Sequence, residues 1–237
     1  MKKNFIGIFF AIIAIIAVAL IVLMLNYKRG ISNQEISDAA KFKDEYVSLN
    51  DQTNSSNKTY PHVTISDNNK FHYATETEIL DILNGQTGVI YFGFPTCPWC
   101  RNMVSILDEV SLSYSTDKIY YYNIKDIRST ITVNDNNELE TKKGTDFYYQ
   151  LLEKLDSSLE DYTVTDKKGK TIKTGEKRLY APTVIFVKNG EVVDFVEGTV
   201  DSQKDPYVAL TETQKNELIS KYQEEFNKLG DICDEKC

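Results

Sequence analysis

Cys97 and Cys100 are two residues apart in Phe92-Gly-Phe-Pro-Thr-Cys97-Pro-Trp-Cys100-Arg101-Asn-Met103, behind an apolar run. Two thiols at that spacing can ligate a metal, close a structural disulfide or carry out thiol–disulfide exchange. Pro98 suits the first position of a helix, which makes Cys97 its N-cap. The unpaired amides and the dipole at a helix start stabilise an anion, so a thiolate there forms below the ordinary thiol pKa of about 8.5. Arg101 adds a positive charge near the same end. Cys100, one turn further on, is more enclosed and within reach of a sulfur bonded to Cys97. The pattern predicts Cys97 as nucleophile and Cys100 as the thiol that resolves a mixed disulfide.

Zinc is the main rival reading. The chain holds four cysteines, and the pair Cys233 and Cys237 would complete a four-sulfur site. Against it, no glycine follows Cys100 to build a metal-binding turn, and the pair opens a helix after a sheet strand. A bridge closing so small a loop adds little stability, so an inert disulfide explains the spacing poorly. Cys233 and Cys237 read as a second disulfide in the tail. A shuttle dithiol serving Cys97 and Cys100 is the alternative, which the intervening Asp234 and Glu235 weaken by raising thiol pKa. All four cysteines fall in two close pairs outside the apolar N-terminal segment, as an oxidising compartment favours. No metal and no cofactor is expected. His62 and His72 lack a ligand triplet and read as surface or edge residues, and the chain shows no phosphate loop, Ser-His-Asp arrangement or basic patch.

The elements that must position these thiols follow from periodicity. His62–Ile65 and Lys70–Tyr73 alternate like a hairpin or an edge strand with a bend. Thr75-Glu-Thr-Glu78 has capping-box spacing ahead of an apolar helix that Gly85 stops. Gly88–Phe94 is continuously apolar, as a strand covered on both faces would be. A helix over 97–114, a strand over 118–124 and a helix over 145–162 come next. A small hairpin over 164–174 then precedes strands 181–187 and 191–196, joined at Lys188-Asn-Gly190. Thr211–Leu229 closes the chain as a helix. The order predicts an α/β fold with a mixed central sheet and helices on both faces.

Residues 5–25 are uncharged and long enough to cross a bilayer of about 30 Å. They carry no small-x-small cleavage site, so the segment reads as a retained signal anchor. The expected organisation is a cytoplasmic tail over 1–4, an anchor over 5–25, a tether over 26–59, a domain over 60–230 and a cysteine-pair tail over 231–237. The very short N-terminal tail favours a single-pass cell-membrane protein with its domain on the extracytoplasmic side. Beyond residue 30 the chain carries 23 basic and 35 acidic side chains, a net of −12. That surface argues against nucleic acid and against anionic headgroups, leaving the anchor as the contact with lipid.

The strand Val89–Phe94, the Cys97-Pro-Trp-Cys100 helix and Ala181-Pro-Thr-Val-Ile-Phe-Val-Lys-Asn-Gly190 together resemble the thioredoxin superfamily over about 61–230. Gly93-x-Pro95-Thr96-Cys97-Pro98-x-Cys100 and the ending Cys-Asp-Glu-Lys-Cys look like the membrane-anchored thioredoxin-like proteins of Gram-positive bacteria called bacteriocin transport accessory proteins. The resemblance implies a thioredoxin-like fold in which Pro182 is cis and lies beside the nucleophile. Ala181, Pro182 and Thr183 would then receive an extended substrate segment, with Trp99 as the exposed aromatic face of the groove. It also implies exported cysteine-containing proteins or peptides as substrates, and a membrane electron donor or acceptor as partner.

Two departures stand out. Many family members carry a buried carboxylate six residues before the nucleophile, where this chain has Tyr91. The stretch over 128–180 is longer than in a minimal thioredoxin, and its part near 164–175 is expected either to cap the site or to decorate the surface. The predicted function is a thiol–disulfide oxidoreductase. A non-catalytic binding module for an exporter or its peptide, or a metal carrier, stands as the alternative.

Overall fold

The computed structural model describes residue 16, residues 18–24 and residues 36–230. Two units are distinguished, Met1–Ser37 and Asp38–Cys237. In the first, residues 18–24 are helical, and Leu20 and Leu23 are exposed. Among the described residues no helix is long and apolar enough to cross a membrane. Most of the anchor predicted over 5–25 lies outside those residues, as do Cys233 and Cys237.

The second unit is built from helices α1 (Asp38–Val47), α2 (Glu76–Leu83), α3 (Pro98–Ser111), α4 (Asp146–Lys154) and α5 (Glu212–Leu229). Its central sheet takes β1 (Phe71–Tyr73), β2 (Gly88–Gly93), β3 (Ile119–Asn123), β8 (Thr183–Lys188) and β9 (Glu191–Glu197) in the order β1-β3-β2-β8-β9. The strands β1, β3 and β2 run parallel, whereas β8 is antiparallel to both β2 and β9. Side chains alternate across a strand, so β2 feeds two cores. Val89 and Tyr91 join one with α1, α3 and α5; Ile90 and Phe92 join the other with α2 and α4. Threonine side chains cap three helices: Thr75, Thr145 and Thr211 each accept a backbone N–H of the first turn, and Thr75 and Thr211 form full capping boxes.

Three expectations are corrected and one element is added. The compact unit begins at Asp38, not near residue 60, because Phe42 and Tyr46 of the expected tether are fully buried in the core. Residues 62–65 form no strand, although Val63 and Ile65 are buried; the Asn50 side chain bonds the Val63 N–H and carbonyl and takes the place of a ladder. The helix predicted over 145–162 stops at Lys154, and Glu160–Thr165 pairs as β6 with β7 (Thr171–Arg178). A further hairpin, β4 (Thr130–Val133) with β5 (Leu139–Lys142), was not legible. β4 alternates as Thr-Ile-Thr-Val with Ile131 buried, but it is only four residues long and β5 is fully exposed without alternation, while the Asn134 carboxamide organises the turn by accepting the Asn136 and Glu138 N–H groups.

Candidate functional site

The buried strand β2 delivers the chain to its active end, and Phe94-Pro-Thr96 turns it into α3. Cys97 is the N-cap of that helix and Pro98 its first residue. The Cys97 Sγ accepts the Cys100 N–H at 3.3 Å and donates to the Ala181 carbonyl at 3.4 Å. The Ala181–Pro182 peptide is cis, and β8, which follows it, lies beside β2. Adjacent strands thus bring together two segments 84 residues apart in the chain. Both cysteines are free thiols; Cys97 retains 5% of its surface and Cys100 none, so only Cys97 can meet an outside sulfur.

The two thiols are driven apart electrostatically. Cys97 is held below the ordinary thiol range by the Cys100 side chain, which donates to it, by the N–H groups of Cys100 and Trp99, and by the Arg128 charge, all against burial. Burial pushes Cys100 well up, and the neighbouring Cys97 adds to that. An anion at one sulfur disfavours an anion at the other, so the proton stays on Cys100.

The expected tuning by Arg101 is corrected. Arg101 is buried, and its guanidinium donates to the carbonyls of Pro61, Tyr46 and Pro95 and to Asn50 Oδ1. It fastens α3 to the preceding loops and α1. The cation that the Cys97 sulfur feels is Arg128, at the base of the insertion, lying over the Phe94 ring. One signal pointed to it. The chain has four arginines against 23 lysines. The three beyond residue 30 each lie over an aromatic ring, on which a planar guanidinium stacks.

Trp99 is half-buried and packs on the α1–α3–α5 core, so it is only partly the open face expected. Thr183 is fully buried, and its hydroxyl donates to the Tyr180 carbonyl, which takes that side chain out of any groove. Ala181 is partly exposed and Pro182 buried. Tyr91 is fully buried; its hydroxyl lies 2.8 Å from that of Tyr46, and its presence acts to lower the pKa of the Cys100 thiol against burial. His72 lies on the edge strand β1, as expected, and bridges the carboxylates of Asp38 at 2.6 Å and Glu78 at 3.0 Å, tying α1 to α2. Among the described residues no group of three or more His, Cys, Asp or Glu side chains could hold a metal ion. A hollow of about 410 Å³ between Gly88, Tyr114 and Phe226 lies at the other end of α3, away from the thiols.

No family model, no curated protein and no solved structure matches this chain.

Proposed function

We propose that the protein is a thiol–disulfide oxidoreductase. One observation carries the reading: a slightly exposed thiol with lowered pKa caps a helix, faces the carbonyl before a cis-proline, and has a buried, proton-retaining partner thiol one turn away. In the reducing direction the Cys97 thiolate attacks a substrate disulfide, forming a mixed disulfide and releasing one substrate thiolate. Cys100 then loses its proton and attacks the Cys97 sulfur. The second substrate thiolate leaves, and a Cys97–Cys100 disulfide remains. The oxidising direction is the reverse. The sheet order and the cis-proline are consistent with a thioredoxin-like domain.

The apolar segment 5–25 supports a membrane-anchored protein working outside the cytoplasm. Exported cysteine-containing proteins or peptides would then be substrates, and a membrane dithiol or disulfide the redox partner. Insulin reduction and oxidation of a reduced peptide test the reading. Cys97→Ser should abolish both, and Cys100→Ser should accumulate mixed disulfides. A Cys97→Ser protein that retains wild-type turnover would falsify it.

A further inference from the structure

Resolution needs Cys100 as an anion in a site that resists one. The titratable side chains facing that sulfur among the described residues are Cys97 of α3, Tyr91 of β2, Tyr46 of α1, Tyr121 of β3, Tyr222 of α5 and, from the loop before β4, Arg128. The set is phenolic apart from one thiol and one guanidinium. Burial pushes the Tyr91 phenol well above its ordinary range, so it cannot serve as a base near neutrality. A neutral phenol can instead donate a hydrogen bond, and donation to an anion is the stronger kind.

The surroundings of the phenol leave it room for that donation. Tyr91 and Gly93 lie on the same side of β2, and the Tyr91 ring leans along the strand toward Gly93, on the way to Cys97. A Cβ at Gly93 would come within 2.7 Å of the ring's Cε2 and closer still to the hydroxyl. Glycine is therefore needed there to make room for the phenol, whose hydroxyl reaches the end of β2 from which the chain turns toward Cys97. Tyr46 fixes the far side of the Tyr91 hydroxyl at 2.8 Å, and its own carbonyl is held at 2.8 Å by Arg101 Nη1. With Tyr46 donating to Tyr91, the Tyr91 proton is free to point at sulfur. We infer that the Tyr91 hydroxyl, backed by Tyr46, is the hydrogen-bond donor that stabilises the Cys100 thiolate while it displaces substrate from Cys97.

The inference rests on the proposed exchange reaction and deepens its second step. The Cys100 proton leaves to water or a solvent base. The Cys100 sulfur then forms a bond to the Cys97 sulfur, the bond from Cys97 to the substrate sulfur breaks, and the electron pair departs on the substrate thiolate. Tyr91 keeps its own proton throughout.

The test is stopped-flow reaction of the reduced full chain with 5,5′-dithiobis(2-nitrobenzoate), which releases one coloured thiolate at each step. Wild type should give a fast phase from Cys97 and a second from Cys100. Tyr91→Phe should leave the fast phase near wild type. Its second phase should slow about tenfold at pH 7, with the midpoint of the pH profile moved upward. Tyr46→Phe, which keeps the Tyr91 donor but loosens it, should shift the same phase by less. Tyr222→Phe removes another buried hydroxyl from the same core and should leave both phases alone. A Tyr91→Phe second phase with wild-type rate and pH midpoint overturns the inference, as does equal slowing in Tyr222→Phe. Absence of the fast phase in wild type overturns the exchange reaction itself.

Discussion

The two cores on either side of the sheet are made differently, although the same strands supply both. Behind α2 and α4 the packing is largely aliphatic, from Ile79, Ile82, Leu83, Ile90, Leu151, Ile185 and Val187. Behind α1, α3 and α5 the sheet presents Tyr91 and Tyr121, the helices add Tyr46 and Tyr222, and both cysteines enter the cluster. Among the described residues, the hydroxyls of Tyr121 and Tyr222 are buried there without a hydrogen-bond partner. Buried polar groups that stay unpaired cost stability. The difference teaches that one face packs the sheet with aliphatic side chains, while the other holds unpaired hydroxyls around the two thiols of the proposed site.

The largest expected effect breaks the aliphatic side. Ile185→Ala should cost about 2–5 kcal/mol in urea unfolding, because a large buried side chain leaves a cavity. The absorbance titration of the Cys97 thiolate near 240 nm should not move. A shift of that titration would show that the two faces are not separable.

Arg128→Met should do the opposite. Removing the cation lets the Cys97 pKa rise, so the thiolate fraction at pH 6 to 7 falls, by about tenfold for each unit gained. Urea stability should change little. Arg101→Met should instead lower stability, since it strips hydrogen bonds from three carbonyls and Asn50, and should leave the Cys97 titration near wild type. Measuring both variants by both readouts separates the two arginines.

A smaller effect concerns Glu197, which lies opposite Thr183 on β9. Burial, reinforced by Glu160, pushes its carboxyl up to about 7. The folded protein therefore binds this proton more tightly than the unfolded chain. Its contribution to stability is present at low pH and fades as pH rises from about 4.3, the unfolded value, to about 7. Glu197→Gln should lift the stability curve progressively across that window and level off above it. A constant offset from pH 4 to pH 8 would contradict the shift.

The smallest change is expected from Tyr121→Phe. Deleting an unpartnered buried hydroxyl while keeping the ring should be neutral or slightly stabilising in thermal unfolding. A clear loss of stability would mean that the hydroxyl has a partner after all and that the phenolic face is better satisfied than its geometry indicates.

Much of the positioning apparatus was readable along the chain because it is local. Thr75 and Thr211 cap their helices through residues three positions away. Cys97-Pro98 marks a helix start by the same short-range logic, and Gly88–Gly93 reads as a covered strand from its unbroken apolar run. The thiol pair needed no tertiary information to be singled out. The β4–β5 hairpin escaped because the alternation of β4 spans only four residues and its exposed partner β5 has none. The reading of Arg101 failed because nearness in sequence to Cys97 does not say which way a long side chain turns.

The sequence by itself determined the thiol pair and the helix start that carries it, since each depends on contacts within a few residues, whereas the nearness of Ala181-Pro182 to Cys97 came from the resemblance and is made by the pairing of β2 with β8. Tertiary structure alone decided that Arg128 rather than Arg101 faces the nucleophile, that Thr183 is buried, and that α1 brings Tyr46 against Tyr91. The reason is physical. Electrostatic and hydrogen-bond effects on a buried sulfur depend on distance in space, so groups far along the chain, such as Arg128 and Ala181, act on Cys97 beside the neighbouring amides of Trp99 and Cys100.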